Sequence, residues 1–377
     1  MTGDAGHARQ GTPFPFEGPV PPSLLIDRDR ELELLARRAA DRVNVRMVAP
    51  RRYGKTSVLL AHESALRRTG WRTAHVDFSR VTDLTDAARR LAAGYGGLDV
   101  SWVRSHLQGL LARLGVSLSS SGPGLTLAPR PQSPDGAAAE TVLHRMLDLP
   151  LTLWREDATP TLVVFDEFQD LLVARQDLDG LLRSKIQYHG DAAAYVYAGS
   201  EPSLMRELFE TRERPFFAQA DPIALDPLPL ADTLEELEAR FRAESLNPGE
   251  ALAELVAFAG GHPQRTMLFA YLLADRLADG AAGDARAAGE VVDAALKRTA
   301  PTHQALWQQL PRTERVVLGA VADGIAPSNE ALAAEHQLAR STLNDAADRL
   351  TNQGHLVRAP RGGALVDPLL AEWLRRR

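Results

Sequence analysis

The sequence predicts an α/β architecture: a parallel sheet wrapped by helices, followed by a helical stretch and a compact C-terminal tail. Three observations carry this. Short apolar runs alternate with helix-like segments from residue 43 to residue 225, the alternation ends at Pro227 and Pro229, and amphipathic helical patterns take over beyond them. A chain of 377 residues exceeds the size at which one core stops growing, so two or three domains are expected.

The elements read as follows. Pro13, Pro15, Pro19, Pro21 and Pro22 exclude regular structure from the start of the chain, which is expected to lie extended. Asp27 or Asp29 can cap a first helix whose apolar stripe is Leu32, Leu34 and Leu35. Residues 43–48 predict a strand, 50–54 a loop, 55–68 a helix stopped by Gly70, 72–78 a second strand and 84–93 a helix. Residues 119–136 are dense in Ser, Gly and Pro and are expected to form an exposed, mobile insertion. A helix over 141–154 and strands over 161–165, 194–198 and 222–225 complete the sheet, the apolar runs being those of buried parallel strands. Helices over 233–245, 248–259 and 264–278 follow, with Gly260 and Gly261 marking a stop. The tail predicts helices at 313–322, 329–336 and 341–353, then a hairpin over 357–366, which is winged helix-turn-helix geometry. Boundaries near Leu230 and Ala300 divide the chain into 1–26, 27–230, 231–300 and 301–377.

Bulk composition removes several classes of function. Cysteine is absent, which excludes disulfides, thiolate nucleophiles and cysteine-built metal sites. A formal charge of -6 argues against a surface coated in base for nucleic acid, although a local patch survives such an average. No apolar run approaches the roughly 18 residues of a membrane span, and residues 1–11 lack a secretory pattern, so no membrane partner and a cytoplasmic protein are expected. The ten histidines show no metal-ligand spacing and read as surface or satisfied residues. Phe216 and Phe217 read as packing groups.

Chemistry concentrates at two places. Ala49, Pro50, Arg51, Arg52, Tyr53, Gly54, Lys55, Thr56 and Ser57 follow a strand and open a helix, the context of a phosphate-binding P-loop. Backbone amides of such a loop surround phosphate oxygens while the helix start adds its positive dipole end. Lys55 would neutralise the β- and γ-phosphates, Thr56 would offer its hydroxyl to magnesium, and Gly54 would let the backbone approach closely. The strict pattern has glycine where this chain has Ala49, whose methyl is the smallest intrusion. A basic surface loop is the plain alternative. Second, the strand ending Val163-Val164-Phe165 delivers Asp166 and Glu167. Asp166 suits the magnesium water shell, and Glu167 suits orienting and deprotonating a water that attacks the γ-phosphate. An acid pair ending a strand in solvent is the commoner arrangement, but its order and distance behind the cradle favour the chemical reading. Ser200, after the strand 194–198, is a candidate to sense the γ-phosphate or the attacking water; a turn serine is the alternative.

With these residues in view the chain resembles the archaeal-type ATPase family within the STAND and AAA+ like P-loop ATPases. The resemblance rests on Pro50-Arg51-Arg52-Tyr53-Gly54-Lys55-Thr56-Ser57, on Phe165-Asp166-Glu167-Phe168-Gln169-Asp170, on Ala198-Gly199-Ser200, on Asp27-Arg28-Asp29-Arg30-Glu31-Leu32 and on Asp367-Pro368-Leu369-Leu370. It implies a P-loop NTPase sheet with an additional strand between the cradle strand and the acid strand, a helical lid, and a C-terminal winged helix. Gly261-His262-Pro263 looks like the lid signature in which Pro263 packs near the adenine, and Arg265 lies where a lid arginine reaches the γ-phosphate. Read locally, the same residues are a sound helix stop and start. Arg212 and Arg214 are the candidates for an arginine finger.

The function expected is a slow ATPase, an ATP-driven switch using Mg2+, whose nucleotide state repositions the winged helix. Two alternatives stand beside it: an ATP-liganded DNA-binding regulator and an interaction scaffold with a vestigial ATPase. Arg340, Ser341, Thr342 and Asn344 would lead the third tail helix into a major groove and Arg358 and Arg361 would touch phosphates, but Asp345 and Asp348 oppose this. DNA, a protein partner and a second copy of the chain all remain open as partners.

Overall fold

The computed structural model describes residues 12–98, 100–112, 116–121, 124–129, 136–357 and 363–377. The chain divides into two compact units, one formed by Arg28–Pro50 and Val58–Leu225, the other by Met1–Asp27, Arg51–Ser57 and Asp226–Arg377.

The first unit is built on α1 (Asp29–Ala40), β1 (Val45–Val48), α2 (Lys55–Arg68, of which residues 58–68 belong here), β2 (Arg72–Asp77), α3 (Leu84–Gly96), α4 (Ser101–Ala112), β3 (Val116–Ser121), β4 (Gly124–Pro129), α5 (Gly136–Leu147), α6 (Leu149–Asp157), β5 (Thr161–Asp166), α7 (Leu171–Ala174), α8 (Leu178–Ile186), β6 (Ala193–Gly199), α9 (Pro202–Glu210) and β7 (Asp221–Ala224). Five strands make one sheet in the order β2-β5-β6-β1-β7, and every neighbouring pair is parallel. The additional strand implied between the cradle and acid strands is β6. All residues of β5 and β6 are buried, which is why their sequences read as unbroken apolar runs. Helices α3, α4, α5 and α8 pack on the sheet through Leu91, Leu107, Leu143 and Leu182. Phe216 does pack, edge-on to Phe168 at 5.4 Å, whereas Phe217 stays partly exposed.

Several expectations change in this unit. Residues 119–136 are not devoid of regular structure: β3 and β4 pair antiparallel from Val116↔Pro129 to Ser121↔Gly124. The period-two placement of Val116 and Leu118, and of Leu125 and Leu127, was outweighed on reading by the density of Ser and Gly around it. The single helix expected over 141–154 is two, α5 and α6, separated at Asp148 with Pro150 in the first turn of the second.

The second unit holds α10 (Leu230–Ala243), α11 (Gly249–Ala259), α12 (Pro263–Ala278), α13 (Ala285–Gln309), α14 (Arg312–Ala322), α15 (Glu330–His336), α16 (Arg340–Asn352), the short strands β8 (Leu356–Val357) and β9 (Ala364–Leu365), and α17 (Pro368–Arg375). The position taken as a boundary near Ala300 falls inside α13, which runs through Pro301. β8 and β9 pair antiparallel after three helices; Arg358 and Arg361 lie outside the described residues. From residue 12 to Pro21 the proline-rich start forms neither helix nor strand and bends at residues 13–14 and 17–18 before a 3-10 turn at Pro22–Leu24, and it is anchored. Phe14 lies 4.5 Å from Phe241 in the α10–α13 core, and Arg240 donates to the carbonyls of Pro13 and Leu24. No helix among the described residues is long and apolar enough to cross a membrane.

Three buried histidines set an acid limit on this fold. Burial lowers His62, His189 and His262 from the ordinary 6.5 to about 4. The folded chain therefore holds them neutral at pH values where the unfolded chain protonates them. Their contribution is full above about pH 6.5 and is lost as pH falls toward 4, up to about 3 kcal/mol for each. The melting temperature is expected to fall steadily between pH 6.5 and 4, and more shallowly in a His62→Leu variant; a variant with the same slope as the parent would refute the assignment.

Candidate active site

The chain leaves β1 at the carboxyl edge of the sheet. Ala49 donates its N–H to the Gly199 carbonyl at the end of β6, 3.3 Å away, and Pro50 follows. Ala49 is buried and does not adopt positive φ, so the backbone here makes no demand for the glycine of the strict pattern. That demand falls on Gly54, at φ +85°, where a side chain would be strained. Arg52, at φ 68°, is the second left-handed residue of the loop, and such turns orient successive N–H groups into an anion-binding concavity. Lys55 begins α2 and is buried, as are Tyr53 and Ser57; Gly54 and Thr56 are half-buried, and Arg51 and Arg52 are exposed.

Within its own unit this loop is closely attended. The Tyr53 ring meets the His262 ring edge-on at 5.1 Å, and Ser57 Oγ accepts the Val20 N–H at 2.9 Å. Partial loss of solvent, then the charge of Arg265, lowers the pKa of Arg52, with Asp367 opposing. Burial, then the charge of Arg51, lowers that of His355 just before β8.

Pro263 opens α12, and His262 caps it by accepting the Arg265 N–H on Nδ1 at 3.4 Å. Arg265 is 1% exposed, and its fork grips Asp367 through Nε to Oδ1 at 2.9 Å and Nη2 to Oδ2 at 2.5 Å. Asp367 also caps α17 by accepting the Leu369 N–H, and His303 Nε2 lies 3.4 Å from Oδ2. Burial pushes the Asp367 carboxyl up, but hydrogen bonds from His303 and Arg265 outweigh it and hold the group well below the usual carboxylate range. Arg265 thus joins the first turn of α12 to that of α17, a partnership with no signal in the sequence because the two residues are 102 positions apart.

In the other unit, β5 ends in the buried Asp166, whose carbonyl accepts the Phe78 N–H and whose Oδ1 accepts the Glu167 N–H. Glu167 takes φ 50°, ψ 45°. Its Oε2 accepts from Ser200 Oγ at 2.7 Å, from Ser200 N at 3.3 Å and from Gln169 Nε2 at 2.7 Å. Glu167 and Ser200, each singled out in the sequence, are hydrogen-bonded to one another. Behind Asp166 stands His75 on β2, with Nε2 at 3.9 Å from Oδ2 and Nδ1 at 2.6 Å from Oε1 of the fully buried Glu63. Burial lowers the His75 pKa, yet the Glu63 hydrogen bond and the charges of Glu63, Asp166 and Asp77 give a net rise. Glu63 and His75 were not singled out on reading, and Gln169 only as a member of the Phe165–Asp170 motif with no role of its own; Glu63 and His75 have no motif spacing. Arg214 is engaged by Glu207 and by Asp179 at 3.5 Å.

The chain is similar over its length to two archaeal proteins of known structure. The Walker-type ATPase Paby2304 of Pyrococcus abyssi aligns over 97% of this chain and 100% of its own, with a TM-score of 0.69 and 20% identity. The ORC2 protein of Aeropyrum pernix, solved as ADPNP-ADP complexes, aligns over 96% of both chains with a TM-score of 0.61 and 17% identity. This chain has the fold of a Walker-type ATPase. No family model matches the sequence, and no curated protein matches it.

Thr56 is half-buried and Asp166 is buried; a hydroxyl and a carboxylate are each oxygen donors that would suit magnesium, with phosphates and water filling its remaining positions. The left-handed turn at Gly54 and the buried Lys55 would suit a polyphosphate. The Asp367 carboxylate is needed by a nearly inaccessible guanidinium, so its loss leaves a buried unpaired charge. Asp367→Ala is expected to cost about 3–5 kcal/mol in urea unfolding; a loss below about 1 kcal/mol would mean that Arg265 finds another partner.

Proposed function

We propose that this chain is an ATP-binding and ATP-hydrolysing switch whose nucleotide state is communicated to its C-terminal tail, read as a winged helix. Pro50 to Ser57 take the triphosphate, with Lys55 on the β- and γ-phosphates; Thr56 and Asp166 hold magnesium; Glu167 orients and deprotonates the attacking water; Ser200 senses the γ-phosphate. Magnesium, when bound, supplies charge neutralisation on the phosphates. Pro263 is the lid residue facing the adenine.

The observation that carries the hydrolytic part is the strand order. β1 and β5 flank β6 in a parallel sheet, so the loop after β1 starts from the same edge at which Asp166 ends β5 and Ser200 follows β6. Crevices outside the carboxyl ends of parallel strands are where such folds bind ligands. The switch is supported by the attachments of the cradle: Tyr53 touches His262, and Arg52 lies in the field of Arg265 and Asp367. A guanidinium fork that fits a carboxylate fits a phosphate equally well. Arg265 exchanging Asp367 for the γ-phosphate would free the first turn of α17 and so alter the tail. The DNA-binding alternative gains no such support, since Arg340, its leading candidate for base contact, is paired with Glu330 at 2.9 Å.

Glu167→Gln is expected to retain ATP binding while hydrolysis falls by roughly 10²- to 10⁴-fold, the range for removal of a general base. Undiminished turnover in that variant rejects Glu167 as the base. Lys55→Ala should weaken ATP binding by roughly tenfold to a hundredfold, the equivalent of one charge-assisted hydrogen bond. Equilibrium titration with a fluorescent ATP analogue reads this directly, and an unchanged Kd would reject the cradle.

A further inference from the structure

Gln169 is 1% exposed and sits two residues beyond the proposed base, in a position no step above uses. Its amide nitrogen makes two donations, to Glu167 Oε2 at 2.7 Å and to Asp170 Oδ1 at 3.0 Å. The second acceptor is itself held, because Asp170 Oδ2 receives the N–H of Arg80 at 2.7 Å, a left-handed residue in the turn after β2. Both amide protons thus point at carboxylates, which fixes which end of the amide is nitrogen: the flipped orientation would set an acceptor oxygen against two anions. The amide oxygen faces the end of β6 and has no hydrogen-bond partner among the described residues. It fits there only because residue 199 is glycine, since a Cβ at Gly199 would lie 2.5 Å from it.

We propose that Gln169 is a positioning residue for Glu167, holding the base carboxylate by the oxygen that Ser200 also grips. The proposal rests on Glu167 being the base. Ser200 has two duties in the reading above, binding Glu167 and sensing phosphate, and one hydroxyl proton cannot do both at once. When that proton turns to phosphate, Gln169 still donates to Oε2, and it keeps the carboxylate plane from rotating with Ser200. Its anchorage to Asp170 and Arg80 is independent of Ser200, so its grip does not follow the sensor's state. The small residue in Ala198-Gly199-Ser200 then has a reason: it makes room for the amide that steadies the base.

The experiment measures kcat and ATP Kd in the full chain for Gln169→Met, which keeps volume and removes the donor, alone and combined with Glu167→Gln. The expected result is a kcat lowered by roughly tenfold to a hundredfold, the usual effect of losing an outer-shell partner, with Kd unchanged. Added to Glu167→Gln, the Met change should cost nothing more, because residues acting as a unit are not additive. If Gln169→Met fails to fold, Gln169→Leu, which also removes the donor, is measured instead with the same expectations. A parental kcat in a variant of a protein whose activity does depend on Glu167 overturns the role of Gln169 alone. An equal fractional loss with and without Glu167, or a loosened Kd, shows a merely structural residue and overturns it too. Hydrolysis indifferent to Glu167→Gln overturns the base itself and Gln169's role with it.

Discussion

The proposed chemistry depends on one geometric constraint, the parallel pairing of β1, β6 and β5. In a parallel sheet every strand presents its carboxyl end at the same edge, so motifs far apart in sequence are gathered without a dedicated contact between them. Residue 49 and residue 166 are separated by more than a hundred positions, yet β6 alone lies between their strands. Its own terminus supplies Gly199 and Ser200, the first accepting the Ala49 N–H and the second donating to Glu167. β6 is therefore the member through which the two motifs share an edge, and its complete burial makes it resistant to displacement.

How much of this could be read in advance varies with the range of the interaction. The two central strands β5 and β6 were legible because burial on both faces requires apolar runs, as in Val163-Val164-Phe165 and in the strand before Gly199. The segments Ala49–Ser57 and Asp166–Glu167 stood out on reading because the chemistry proposed for them would constrain neighbouring residues. What stayed hidden was non-local or masked by composition. The β3–β4 pairing is hidden under serines and glycines that usually mark loops. The Glu63–His75 pair joins a helix to a strand, and nothing in either segment names the other. Arg265 was noticed for its place after Gly261-His262-Pro263, and Asp367 as part of a tail element, but their bidentate union is a tertiary fact.

That union shows why a buried ion pair need not be a large source of stability. Taking both charges from water costs several kcal/mol, which their attraction roughly offsets when the hydrogen bonds are complete. Here they nearly are: Asp367 accepts from the guanidinium, from the α17 backbone and from the vicinity of His303. The net contribution is then small while the penalty for having only one partner is large. A pair with that asymmetry specifies an arrangement more than it strengthens one, and it can be opened at low cost only by offering the arginine another anion. Arg52 crowding Arg265 works in the same direction, since like charges favour any anion that can be shared.

The departure at Ala49 follows from the same local physics. Glycine is required in a phosphate loop either for positive φ or for room, and these needs fall on different residues. Positive φ occurs at Arg52 and Gly54, not at Ala49. Room matters where Gly199 admits the Gln169 amide. Ala49 continues the hydrogen bonding of β1 by one residue and is buried. A strict motif search penalises this residue, whereas the backbone does not: the glycine rule states a conformational requirement, and in this chain the requirement is met five residues later.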